Sequence, residues 1–417
     1  MHCTRFRHFG WLVIAALAGC GPSASAAPVP QHPAVRPGID VLLTDSLHLV
    51  RGKRLGLVTN VAAVDARGVS DISRIRGAGL TLVALFAPEH GLTESAAPGA
   101  RVNSQTDSGT GTPIYSLYGR TTAPTDSMLR GIDLLLVDLP DVGARYYSYL
   151  ATTVGVLQAA AAHHIPVVIL DRPNPLGDVI EGNILDTAFA SMVGRIAVPI
   201  RHGLTLGEES RLAMSDLHVP AALTVVPVAG WRRSIGFDET GLPFRAPSPN
   251  LQTLMAVRAY PGLCLVEGTS LSVGRGTDAA FLQFGAPWLD TAVVLGAIRN
   301  VHLAGVEFRG VVFRPHAPGD GKFAETEVNG IRLVITDPKT FRPVTAIVNL
   351  LAILERVYPD KVAIGGSFDR LAGGPTLRQA LLRGESAQAI IASWREGLTA
   401  YRHRAAPFLL YPGELQE

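Results

Sequence analysis

Cysteine is almost missing from this chain: 417 residues hold three, Cys3, Cys20 and Cys264. A disulfide framework is therefore excluded as the organising principle. Cys264 lies in the apolar run GLCLVEG and reads as a small buried hydrophobe. Charge is also sparse. Charged residues make up 17% of the chain and the net charge is only +2, which removes nucleic acid and acidic membrane surfaces as partners of the folded body. After the N-terminal segment no apolar run is long enough to cross a bilayer. Phosphate cradles are missing as well. The first strand-like run continues into TNVAAVDARGV, without the glycines that let backbone approach a pyrophosphate, and SVGRGTDAA has no Lys-Ser/Thr pair. A nucleotide-dependent enzyme is disfavoured on that ground. There is no HExxH and no G-x-S-x-G, and His163-His164 reads as a surface helix end, so neither a metal nor a serine triad is expected. The chain calls for no cofactor.

What is present begins with MHCTRFRHFGWLVIAALAGC. Two arginines precede a short apolar core, the pattern of an export signal rather than of a membrane span. Leu17-Ala18-Gly19-Cys20 resembles the lipobox of bacterial lipoproteins, which implies cleavage before Cys20 and lipidation of its thiol. A plain signal cut near Ala24 to Ala27 is the alternative. Residues 1–19 are thus expected to be signal and residues 20–39, rich in Ser, Ala and Pro, a flexible tether. Gly21 after the cysteine points to the outer membrane in a Gram-negative cell, with the protein facing the periplasm or wall.

The body alternates. RLGLVTN (54–60), LTLVALFAP (80–88), IDLLLVDLP (132–140), IPVVILDRP (165–173) and RIAVPIRHG (195–203) are short, β-branched apolar runs. Residues 70–78 and YLATTVGVLQAAAAHH between them have helical spacing. Continuous apolar strands separated by helices predict a parallel sheet covered on both faces. The expected fold is α/β: a Rossmann-like doubly wound, mostly parallel sheet over residues 40–235 and a smaller α/β domain over 236–417. In the second half LTVVPVAGW, LCLVEG, GVVFRP and IRLVITD read as strands, VTAIVNLLAILERVY as a helix and LPFRAPSPNLQTL as a Pro-punctuated loop.

Ligands of such sheets bind beyond the carboxyl ends of the strands, and these ends are polar here: Asn60, Glu89-His90, Asp141 with Arg145, Asp171-Arg172 with Asn174, and Arg201-His202. Glu89 closes an apolar strand and precedes Gly91. A carboxyl on a partly apolar crevice floor can be held protonated, as a general acid must be. Asp141, Asp171 and Glu267 are candidate partners, since glycoside hydrolysis commonly uses two carboxylates.

The motifs APEHG, GTPIYSLYG, DVGARYYSYLATT, DRPNPLG, IRHGLTLGE, PSPN, YPG, EGTSLSVGRGT and GAPW occur in this order. Together they resemble the exo-β-N-acetylmuramidase (NamZ-like) family from about residue 40 to the C-terminus. The resemblance implies a glycoside hydrolase that releases terminal β-linked N-acetylmuramic acid from the non-reducing ends of peptidoglycan fragments, with its site between a Rossmann-like domain and a smaller one. It places the family's E-H-G glutamate on Glu89. The chain departs from the family at Ser270, where Asn is usual, and at Ala280, where Pro commonly precedes Phe281. The lactyl carboxylate of such a sugar asks for an arginine fork, and Arg145, Arg172 and Arg275 lie in the polar segments. The expected site is therefore Glu89, His90 and Asp141 for catalysis, and Asn60, Arg145, Tyr146, Asp171, Arg172, Asn174, His202, Glu267 and Arg275 for binding. Muramyl saccharides are the expected partners. A wall-fragment-binding lipoprotein without turnover is the competing reading.

Overall fold

The structure, a computed structural model, describes residues 1–2, 34–93, 96 and 103–417. The signal, the lipobox with Cys20 and most of the tether lie outside the described residues.

The apolar runs of the first half build one sheet. Its strands are β1 (Arg54–Thr59), β2 (Thr81–Ala87), β3 (Gln105–Thr106), β4 (Pro113–Ser116), β5 (Leu134–Asp138), β6 (Val167–Leu170) and, after a separate pair, β9 (Leu223–Val226), in the order β3-β4-β2-β1-β5-β6-β9. All neighbours are parallel except β3, a two-residue edge strand antiparallel to β4. Every residue of β5 and β6 is buried, the mark of strands covered on both faces.

Alternation divides the core. Leu55, Leu57, Leu134 and Leu136 pack on the face that carries α1 (Gly38–Thr44) and α2 (Asp71–Gly77). Val58, Leu135, Val137 and Ile169 pack on the other, with α3 (Asp126–Leu129), α4 (Tyr149–Ala162) and α5 (Leu206–Asp216). Successive strand residues face opposite ways, so both layers are required. Helices on both sides make the sheet doubly wound, as its sequence pattern predicts. From β1 the chain passes to β2 on one side and later to β5 on the other. The carboxyl ends of these three strands therefore border a topological switch point, where such sheets open a crevice.

The second half forms an antiparallel sheet of β10 (Gln283–Ala286), β12 (Val328–Ile335) and β11 (Val306–Phe313), in that order. Around it stand α6 (Leu254–Glu267), α7 (Thr291–Ile298), α8 (Pro343–Val357), α9 (Gly366–Ala372), α10 (Thr376–Leu382), α11 (Ala387–Ala392) and α12 (Arg395–Ala405). One apolar cluster runs without a break from Val58 and Phe86 through α6 to Phe284, Ile331 and Leu350, and residues 34–417 form one compact unit.

Three segments differ from expectation. RIAVPIRHG supplies no strand to the main sheet. Only β8 (Pro199–Arg201) is extended, and it pairs with β7 (Glu181–Ile184) in a separate two-stranded ribbon. LCLVEG is not a strand but the last turns of α6. Residues 34–39, assigned to the tether, are part of the fold: Arg36 bridges Ala229, and Gly38 N–H donates to the Asp171 carbonyl at 2.8 Å. A Cβ at Gly38 would stand 2.5 Å from Asp171 N, so the entering chain touches the sheet at a point where only glycine fits.

Candidate active site

β2 ends at Ala87 and the chain turns at once. Gly91 N–H donates to the Pro88 carbonyl at 3.1 Å, and both His90 (φ 67°) and Gly91 (φ 79°) are left-handed. Left-handed φ is uncommon outside glycine and is retained where surrounding structure enforces it, often at functional sites. Here it brings Glu89, half-buried, out of the strand end. His90 Nδ1 lies 2.8 Å from the Ala96 carbonyl. A carbonyl can only accept, so Nδ1 carries the proton and Nε2 keeps its lone pair. Burial holds this imidazole below its ordinary pKa, against the pull of Glu89 and with help from the Arg275 charge.

Ser148 Oγ donates to Glu89 Oε2 at 2.8 Å, and the Tyr118 phenol faces the same carboxylate within its reach as a donor. Burial, then the charge of Glu89, push Tyr118 up to about 12, so it remains a proton donor at any physiological pH. Ser148 stands at the N-cap of α4, where serine ordinarily accepts from a helix N–H. It makes no such bond; its hydroxyl serves Glu89 instead.

Glu267 closes α6. Its Oε1 accepts from Arg275 Nε at 2.7 Å and from Nη2 at 2.6 Å, while the Arg275 guanidinium stacks 4.9 Å from the Phe281 ring centre. Lys322 Nζ donates to the carbonyls of Glu267, Thr269 and Leu271 at 2.8, 2.8 and 3.0 Å, fixing the chain beyond the helix end. Because the Arg275 charge is felt at His90, the second half of the chain faces the E-H-G turn here. Ser270 sits on this wall. Its Oγ donates to the Lys361 carbonyl at 3.1 Å and accepts from Ala363 N–H at 3.1 Å, one donor and one acceptor as a side-chain amide would supply. Ala280 precedes Phe281, which is itself left-handed (φ 57°).

The remaining sequence candidates make the following contacts within the protein. Arg145 is no carboxylate fork: buried, it donates to the carbonyls of Asn183 (2.7 Å), Val198 (3.0 Å) and Leu371 (3.1 Å). Burial brings its pKa down to about 10. Arg172 grips Asp138 with Nε (2.5 Å) and Nη2 (3.0 Å) and gives Nη1 to the Val64 carbonyl (2.9 Å), a bidentate pair inside the protein. Asp171 accepts from Thr205 Oγ1 (2.6 Å), the Tyr411 hydroxyl (2.6 Å) and Gly207 N–H (3.0 Å). Burial still raises it to about 6. Asn174 donates to the Leu204 carbonyl at 2.9 Å, and Tyr146 to that of Pro261 at 3.0 Å. Asn60 donates to the Tyr149 hydroxyl at 2.5 Å, and the hydroxyls of Tyr147 and Tyr149 both donate to the Pro247 carbonyl. That bond ties the irregular loop after residue 240 to the crevice side of the sheet.

Asp141 and His202 meet with Glu209 in a buried group: His202 Nε2 lies 3.8 Å from Asp141 Oδ2 and 3.7 Å from Glu209 Oε2. Burial raises Asp141 to about 7 and lowers His202 to about 3. Three such ligand atoms so close invite a metal. The tautomer opposes it, because Leu204 N–H donates to His202 Nδ1 at 3.2 Å. The neutral ring then carries its proton on Nε2, the atom facing the carboxylates, and a protonated nitrogen cannot ligate.

Of the expected residues, the structure brings Glu89, His90, Glu267 and Arg275 to one locality. Tyr118, Ser148 and Arg370 join them and were not singled out by sequence reasoning. Tyr118 and Ser148 lie inside quoted motifs, but nothing in the motif itself distinguishes their hydroxyls from those of Tyr115 or Tyr149.

Comparison with known proteins finds relatives over nearly the whole chain. The N-terminal region described as exo-beta-N-acetylmuramidase NamZ, N-terminal, matches residues 55–255, and its C-terminal counterpart matches residues 258–411. The chain is 38% identical over 412 residues, 97% of its length and 99% of the relative's, to the peptidoglycan beta-N-acetylmuramidase NamZ of Bacillus subtilis strain 168. Two crystal structures of DUF1343 family proteins from Bacteroides fragilis NCTC 9343 are similar over 92% of this chain and 100% of theirs. One has a TM-score of 0.83 at 30% identity, the other 0.73 at 27%.

Proposed function

The chain belongs to the exo-beta-N-acetylmuramidase NamZ family, and from that premise we propose that it is a glycoside hydrolase removing terminal β-linked N-acetylmuramic acid from peptidoglycan fragments, with Glu89 as general acid. The observation that carries the reading is the Glu89 carboxyl, brought out at a strand end beside the switch point by a left-handed turn and oriented by Ser148 and Tyr118. A hydroxyl can donate to a carboxylate or accept from a carboxylic acid. The two can therefore keep the group in place through both protonation states of a catalytic cycle. Protonating the glycosidic oxygen lets the leaving sugar depart as an alcohol rather than an alkoxide.

Exo action requires a wall that stops the chain beyond its terminal sugar. The loop held by Tyr147 and Tyr149 at Pro247 is suited to that task because it cannot swing freely. The test is incubation with purified peptidoglycan oligosaccharides that carry N-acetylmuramic acid at the non-reducing end. Free N-acetylmuramic acid should appear, followed by mass spectrometry, while internal bonds survive. Binding of the oligosaccharides without release would make the protein a wall-fragment receptor instead.

Location belongs to the same proposal. The Leu17-Ala18-Gly19-Cys20 run supports an exported lipoprotein anchored through Cys20 and facing the compartment that holds the substrate. Metabolic labelling with a fatty acid should mark the wild type and not Cys20→Ser; an unlabelled wild type would remove the anchor.

A further inference from the structure

Arginines are the natural readers of a carboxylate, and three of those near the crevice are already committed. Arg145 gives its Nη donors to backbone carbonyls, Arg172 holds Asp138, and Arg275 holds Glu267. Arg370 is not. It lies exposed on α9 and makes no hydrogen bond or ion pair among the described residues.

Its position is nevertheless tightly built. Arg145 Nη2 donates to the carbonyl of Leu371, and Asn183 Nδ2 donates to that of Ala372 at 2.6 Å, pinning the end of α9 to the sheet side of the crevice. At the other end Ser367 Oγ donates to the Gly268 carbonyl at 3.3 Å. A Cβ at Gly268 would stand 2.7 Å from Phe368 Cα, so α9 sits hard against the chain that follows Glu267. Asp369 turns away and pairs with Arg378 through both carboxylate oxygens, at 2.8 Å each. The Arg370 charge reaches the Tyr118 phenol, which burial and Glu89 push up and Arg370 pulls down. An uncommitted guanidinium, on a helix packed against the chain that follows Glu267, thus lies within electrostatic reach of Tyr118 on the side of the proposed acid.

We propose that Arg370 is the residue that recognises the lactyl carboxylate of the terminal sugar and so sets the preference for muramyl over glucosaminyl ends. Arg145, expected from sequence to make that contact, is a positioning residue that holds α9 in place. The inference rests on the muramidase reading of the site. The carboxylate would replace water around a cation that the fold has anchored but left without an anion, and a charge-assisted fork of this kind distinguishes an acid from its neutral ester.

The experiment compares kcat/KM on a chromogenic β-muramide and on its lactyl methyl ester, for the wild type, Arg370→Ala and Arg370→Lys. The wild type should prefer the free acid by about 10- to 100-fold. In Arg370→Ala the acid-to-ester ratio should fall close to one, and Arg370→Lys, with the charge but not the fork, should keep part of it. A ratio preserved in Arg370→Ala while both rates fall would make Arg370 merely structural and overturn the assignment. So would a wild type with no preference. Failure of the wild type to hydrolyse either compound would instead remove the muramidase reading beneath the assignment, and the assignment with it.

Discussion

Glu89→Gln is expected to fold like the wild type, to bind muramyl fragments and to lose about 10²- to 10⁴-fold in turnover, the usual contribution of a positioned acid. Glutamine matches the shape, and its amide oxygen can still accept from Ser148 and from Tyr118, so the hydroxyls that orient residue 89 keep a partner. The amide has no proton to give at any working pH. The loss should therefore depend on the leaving group. A natural disaccharide leaves as a basic sugar alkoxide and needs the proton; a nitrophenol hardly does. Parallel kcat/KM measurements on both, with circular dichroism to confirm folding, decide the matter. A Glu89→Gln protein near wild-type turnover on the natural disaccharide would move the acid elsewhere. Asp141 would then be the first place to look, since burial raises it to about 7, whereas Asp171 is held by three donors and Glu267 by Arg275.

Sequence patterning located Glu89 for a simple reason. A buried parallel strand reads as a continuous apolar run, and its last residue is followed directly by the polar group that faces the crevice. The same logic produced β1, β2, β5 and β6. It failed where periodicity cannot separate a short buried strand from a buried helix. In α6, Pro261 and Gly262 suggest interruption, yet the helix continues from the Thr253 cap through both. Pro261 turns its carbonyl to the Tyr146 hydroxyl, and a Cβ at Gly262 would stand 2.2 Å from the Pro343 carbonyl. Close packing against α8 thus depends on the glycine that looks like a breaker. The arginines show a second limit. Sequence places Arg145 and Arg172 at strand ends but not the carbonyls and carboxylate that occupy their donors. Arg370 comes from a segment more than two hundred residues away, and only the fold brings it near Tyr118. Ser148 is legible only in retrospect, as an N-cap serine that does not cap.

Arg233→Leu should cost about 3–5 kcal/mol of stability, a large part of the roughly 5–15 kcal/mol that holds a typical domain together. Arg233 and Glu208 are paired with both side chains fully buried. Arg233 also donates to the Gly203 carbonyl at 2.8 Å. Glu208 does more than balance charge. Its Oε2 accepts from Thr205 N–H at 3.0 Å in the capping box of α5, and its Oε1 accepts from Leu410 N–H at 2.6 Å. The pair thus joins the start of α5, the loop at Arg233 and the C-terminal segment. Leucine fills some of the volume but leaves a carboxylate in a dry site without its cation, and that uncompensated charge dominates the cost. Adding Glu208→Gln should therefore restore part of the loss, because a neutral amide is cheaper to bury and its one oxygen can still accept one of the two backbone N–H groups, from Thr205 or from Leu410. Urea denaturation of the wild type, Arg233→Leu and the double variant measures the effect. A loss under about 1 kcal/mol in Arg233→Leu, the scale of an exposed ion pair, or a double variant less stable than the single one, would show that the pair does not hold these three segments together.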